Sequence, residues 1–252
     1  MSSAASLAMA RQSMAPILGE GRSLAPLGHA GADEALRGGL MRGGLHEVFA
    51  ADGGGFALGL ARRAAGPKRL LWIVQDFSDL ENGQVSATGI AEFGIDPAML
   101  LLMRAASAVD ALRAGADALT CAALGAVIIE VPGQPKVLDL TASRRLVLGA
   151  QAKGVTAILL RPQALPEPSA AQTRWLVKSA RSAACDDWGR PRFDAELHRN
   201  RSGETGRWMM EWCCDDGAFA ESFERAAHPG AVAAQAPDRP AYSPPQTLRR
   251  TG

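Results

Sequence analysis

The apolar positions of the chain follow two rhythms. Up to about residue 161 they gather into short unbroken runs, "LHEVFA", "RLLWIVQ", "MLLLMR", "GAVIIEV" and "VTAILLR". Between these runs the spacing predicts helices around Asp33 to Leu36, then over Phe56 to Ala65, Val85 to Phe93, Ser107 to Ala122 and Leu140 to Lys153. Five continuous apolar strands alternating with helices predict a mostly parallel α/β sheet covered on both faces, because a solvated face would need polar positions.

Later in the chain the rhythm shortens. "TRWLVKSARS", "PRFDAELHRNR" and "RWMMEWC" alternate apolar with polar residues, which predicts antiparallel strands added to one edge of the sheet. The first twenty or so residues show little period, and the stretch "HPGAVAAQAPDRPAYSPPQTLRRTG" is rich in Ala and Pro. The expected organisation is a flexible lead-in over residues 1–23, one α/β domain over 24–214, and a mostly disordered tail over 215–252.

Composition narrows the chemistry. The 252 residues suit one ordinary domain, and 27 basic against 26 acidic residues leave a formal net charge of +1. No general field draws the molecule to polyanions, so any contact with nucleic acid has to be local. The cysteines, Cys121, Cys185, Cys213 and Cys214, show no CxxC spacing. His29, His46, His198 and His228 show no ligand spacing, and no serine sits in a GxSxG elbow, so metal hydrolysis and triad chemistry find no support. No apolar run of membrane-spanning length is present, and a cytoplasmic protein is expected.

The stretch "EVFAADGGGFALGL" has the order of a phosphate-binding loop: strand, glycine turn, helix start. Such a loop needs glycines for close backbone approach, a lysine for the β and γ oxygens, and a Ser or Thr for magnesium. Here Ala50 takes the first glycine position, Gly53, Gly54 and Gly55 supply the turn, Phe56 takes the lysine position and Ala57 the hydroxyl position. Charge-assisted contacts to phosphate contribute roughly 1.5–3 kcal/mol each, and a helix dipole worth about 0.3–1 kcal/mol does not replace them. The sequence therefore points to a degenerate nucleotide site, or to a tight turn alone.

Two carboxylates belong to the same layer. Asp76 ends the second apolar strand and Glu130 ends "GAVIIE", at the sheet edge where α/β proteins place catalytic and metal-water-holding acids. Each also reads as an ordinary loop acid or structural acceptor. Two arginine pairs complete the candidates. Arg144 and Arg145 fall in the first turns of a helix capped by Asp139 or Thr141, where they oppose the dipole and favour an acidic partner or another chain. Arg199 and Arg201 lie two apart before the turn "RSGETG", on one face of a hairpin. Solvated arginines are the plain alternative for both pairs.

The order of these pieces resembles the RecA-like ATPase core. They are "GADEALRGGLMRGGLHEVFA", the strand ending at Asp76, the "AVIIE" strand and the "HRNRSGETG" hairpin. By that resemblance Asp76 matches the catalytic acid, Glu130 the Walker B position, and Arg199 and Arg201 the finger that reaches a neighbouring subunit's nucleotide. Within the superfamily the chain is similar to the ImuA family of bacterial mutagenesis cassettes, through "LDLTASRRL", "AEFGIDPAMLLLMRA", "SAAQTRWLV" and the "RNR.G..G.W..EW" ending.

The resemblance implies a damage-induced accessory factor of SOS translesion synthesis, associated with the nucleoid and replication fork. It would work with an ImuB-type Y-family polymerase homologue, with RecA, and with an error-prone replicative-type polymerase. A homo-oligomer is compatible with it. The link from Val131 to Asp139 is too short for a long mobile DNA-binding loop, so direct DNA binding is expected to be weak or absent. No cofactor is expected. An active ATPase using ATP and magnesium with an atypical loop, and a SulA-like division inhibitor, are the alternatives.

Overall fold

The computed structural model of the protein describes residues 23–50, 54–76, 84–182 and 189–222. A short hairpin-like pair, β1 (Leu24–Ala25) and β2 (Leu40–Met41), brackets α1 (Ala30–Ala35). The main elements follow: β3 (Leu45–Ala50), α2 (Gly55–Ala65), β4 (Arg69–Gln75), α3 (Ala87–Glu92), β5 (Leu100–Ala105), α4 (Ala108–Ala118), β6 (Leu124–Glu130), α5 (Leu140–Lys153) and β7 (Thr156–Leu160). Four strands close the described chain: β8 (Thr173–Ala180), β9 (Arg192–Asn200), β10 (Gly206–Cys213) and β11 (Ala218–Glu221).

All but β1 and β2 form one nine-stranded sheet in the order β11-β10-β9-β8-β3-β7-β6-β4-β5. Every residue of β3, β6 and β7 is buried, which is what their unbroken apolar runs require of central parallel strands. On one face α2 packs Leu58 and Leu60 against a core that includes Ile128 and Ile158. On the other face lie α4 and α5, where Leu112 and Leu146 join Val127, Ile129 and Leu159. Helix α5 starts where its cap dictates, with Asp139 Oδ1 accepting from the Ala142 N–H at 2.7 Å. It ends at Gly154, whose left-handed backbone (φ 69°) suits a residue without a side chain.

The structure departs from the sequence expectation in three places. β8 pairs parallel to β3, so the antiparallel extension begins one strand later, with β9. Its alternating pattern comes from coverage on one face alone: Trp175 and Val177 are core, while Lys178 is exposed. Strand direction leaves no trace in such a pattern. Second, β5 is an outer strand, and Leu101, Leu102 and Met103 stay exposed although the run reads as a covered strand. Third, ordered structure continues past the Cys214 boundary. Residues 218–221, placed by sequence in the tail, form β11, and Phe219 (1% exposed) enters the core. A single aromatic in a short run carries no period, so the sequence hid it. Residues 1–22 and 223–252 lie outside the described residues.

Candidate functional site

The parallel strands present two ends, and the candidate residues divide between them. β3, β4 and β6 all finish at one end, where the glycine turn, Asp76 and Glu130 stand. Gly53 falls outside the described residues, so the turn is described from Gly54 onward. Ala50 closes β3 in a buried position. Gly54 caps α2 without a side-chain bond, and a Cβ there would come within 2.5 Å of two ring atoms of Trp72. Glycine is required at this position because an indole lies against the backbone.

Phe56 is 1% exposed and points into an aromatic cluster built with the later strands. Its ring centroid lies 5.3 Å from Trp175, 5.5 Å from Phe193 and 5.1 Å from Phe219, in tilted or edge-on contacts that suit aromatic quadrupoles. One turn on, a Cβ at Gly59 would meet the Phe219 ring at 2.6 Å, so α2 can approach β11 only because that residue lacks a side chain. Ala57 is fully buried as well. The lysine and hydroxyl positions of the loop pattern are thus core positions.

Glu130, 6% exposed, accepts a hydrogen bond from Trp72 Nε1 at 3.3 Å, and its backbone carbonyl accepts from Gln75 Nε2 at 3.3 Å. The structure therefore joins Glu130 to the glycine turn through Trp72. Asp76 follows β4 at the same end of the sheet, but its side chain is exposed.

Arg199 and Arg201 stand at the opposite end, where β3 and β8 begin and β9 finishes. Both donate to the Ser169 carbonyl, at 3.3 Å each. A register shift between Arg174 and Trp175 of β8 brings Arg199 opposite Arg174. Arg174 is buried and ion-paired to buried Glu47, with Nε to Oε2 at 2.9 Å, and it also donates to Ser169 Oγ at 3.1 Å. Phe49 lies under two guanidinium groups, with Arg161 at 5.6 Å and Arg174 at 5.7 Å from its ring centroid. Burial, then the charges of Arg201 and Arg174, lower the Arg199 pKa below the ordinary arginine range. Burial likewise lowers that of Arg161, which holds the carbonyls of Val131 and Gly133.

A cleft of about 660 Å³ opens at this end, lined by Arg37, Met41, Gln172, Thr173, Asn200 and Arg201 among others. Behind Thr173, fully buried His46 accepts from the Thr173 hydroxyl at Nδ1 and donates from Nε2 to the Met41 carbonyl. Burial pushes its pKa down to about 4, so it is neutral.

Arg144 and Arg145 are exposed on α5, and Arg145 lines a groove of about 260 Å³ between α4 and α5 with Val109, Leu112 and Arg113. The structure does not gather all four candidate arginines into one patch. Sequence reasoning missed Glu47, Arg161, Arg174 and Trp72. The available signal was a charge inside otherwise apolar strands, Glu47 in "LHEVFA" and Arg174 in "TRWLV", since buried charges persist where they are paired.

Strand order, helices on both faces and antiparallel strands along one edge define an α/β protein built on a large, mostly parallel central sheet. No protein-family model matches the chain. Protein ImuA of Caulobacter vibrioides, from strains NA1000 / CB15N and ATCC 19089 / CIP 103742 / CB 15, is 30% identical over 196 residues, covering 69% of this chain and 77% of that protein. The chain belongs to the ImuA family. Among the described residues, no helix is long and apolar enough to cross a membrane.

Proposed function

We propose that the chain is an accessory scaffold of damage-induced, error-prone translesion synthesis, acting through contacts with an ImuB-type Y-family polymerase homologue. Membership of the ImuA family supplies the context. The observation that carries the scaffold reading is the surroundings of Phe56 and Gly54: rings occupy the space beside the helix start, and the lysine position faces the core. A phosphate at that turn would meet no side-chain cation or hydroxyl from positions 56 and 57, which are buried core positions. On this reading the glycine turn serves packing, Glu130 serves to hold Trp72, and ATP and magnesium have no part.

The contacts then belong to the arginine-rich end. Arg199 and Arg201 share one backbone carbonyl as acceptor, so most of their donor groups are open to an acidic partner surface. Arg144 and Arg145 offer a second basic surface along α5. RecA and the error-prone replicative-type polymerase are candidate further partners, reached at the replication fork. Co-purification with the polymerase homologue tests this directly. Reversing Arg199 and Arg201 together to Glu is expected to cut recovery of the partner at least tenfold while the fold persists, and undiminished recovery removes that end from the interface.

A further inference from the structure

The nine-stranded sheet has two edges of different character. β11 is four residues long, ends in Glu221, and buries Phe219. β5 is six residues long and, among the described residues, pairs with β4 alone. Leu101, Leu102 and Met103 are 45%, 42% and 42% exposed. Their register with Leu71, Trp72 and Ile73 puts Leu101 and Met103 on one face of the sheet and Leu102 on the other.

Soluble proteins blunt their sheet edges with charge, proline, bulges or short length, because a bare edge is a template for another strand. β5 has none of these from Leu100 to Met103, and its one charge, Arg104, comes after them. Apolar exposure on both faces selects the shape of the occupant. A helix laid on the sheet covers one face; only a strand added in plane covers Leu101 and Met103 above and Leu102 below while taking up the outward main-chain groups.

We propose that β5 pairs antiparallel with β5 of a second copy of this chain, about a two-fold axis through Leu102. Antiparallel pairing keeps side chains on matching faces only when the axis passes through a residue. With Leu102 on the axis, Leu101 meets the second copy's Met103, Met103 meets its Leu101, and Leu102 meets its Leu102. Every central pair is apolar, and each Arg104 lies opposite Leu100 rather than the other arginine. With Met103 on the axis, Arg104 would face Leu102 instead. With Leu101 on the axis the pairs would be apolar as well, but only Leu100 to Leu102 of the strand could pair, so Leu102 gives the longest register whose central pairs are all apolar. A contact of this kind is isologous and closes on itself, giving a dimer with one continuous sheet and no free β5 edge. A formal net charge of +1 gives two copies little reason to repel.

The test is sedimentation velocity of the full chain across a concentration series, with two variants. The unaltered protein is expected to be a concentration-dependent dimer. Leu102→Lys places like charges opposite each other on the axis and is expected to weaken the dimer on the order of tenfold or more, with an unchanged circular-dichroism spectrum because the site is exposed. Leu102→Cys, oxidised with copper phenanthroline, is expected to give a disulfide-linked dimer. Leu148→Cys, exposed on α5, should give no more dimer than the background from exposed Cys121. A monomer at every concentration overturns the proposal. So does a dimer that Leu102→Lys leaves intact, or a Leu102→Cys protein that cross-links no better than Leu148→Cys.

Discussion

Gly54 and Arg201 lie at opposite ends of the same parallel strands, and the two ends are built from different materials. At the first, glycines let aromatic side chains close against backbone: Trp72 on Gly54, Phe219 on Gly59, Phe56 within its ring cluster. At the second, Glu47 and Arg174 form a buried ion pair beside the register shift that sets Arg199 opposite Arg174; Arg199 donates to the Ser169 carbonyl, and Arg201 lines a cleft of about 660 Å³. In the function proposed above, the glycine-turn architecture that elsewhere cradles phosphate is here satisfied by packing. The difference teaches that a turn's glycines report how closely something approaches the backbone, and the neighbouring residues decide whether it is a ligand or a ring.

The sharpest way to break this contrast is to restore the lysine. Phe56→Lys, alone or with Ala57→Thr, buries an ammonium among Trp175, Phe193 and Phe219. It is expected to destabilise the fold by more than the roughly 3–5 kcal/mol of a buried Phe→Ala change, which thermal and urea melts would record. A double variant that stays folded and binds ATP would show that only the two reactive groups were missing. Next in size, Arg174→Ala strands buried Glu47 without its cation and is expected to cost about 3–5 kcal/mol. A loss below 1 kcal/mol would show that the ion pair does not organise its end of the sheet.

His46 sets the pH dependence of that same end. Its folded pKa lies near 4, below the ordinary 6.5, so below pH 6.5 the unfolded chain takes up a proton that the folded chain refuses. Stability is expected to be level above about pH 6.5 and to fall by up to about 3 kcal/mol as pH drops toward 4. His46→Gln should flatten that slope in urea melts run across the window. The smallest stability effect belongs to Arg199→Glu with Arg201→Glu, within about 1 kcal/mol for partly exposed charges. Their large effect is reserved for partner capture.

Much of the fold was legible because the central strands are continuous apolar runs and α5 carries its own cap at Asp139. The glycine turn was legible as well, down to the apolar character of position 56. What Phe56 touches was not, since Trp175, Phe193 and Phe219 come from strands more than a hundred residues away and only the sheet order brings them together. Arg199 and Arg201 were visible as a pair. Their setting was not, because a one-residue register shift opposite Arg174 leaves no mark in the sequence. Strand direction at β8 and exposure at β5 were lost for a simpler reason: apolar content reports tendency to be covered, while position in the sheet decides whether anything covers it.

The central claim is that the glycine-turn end is closed by packing and the protein works without nucleotide. Isothermal calorimetry of the folded, unaltered chain with ATP and magnesium tests it most directly. The account predicts no saturable heat at millimolar nucleotide. Saturable binding with a submillimolar Kd would contradict it.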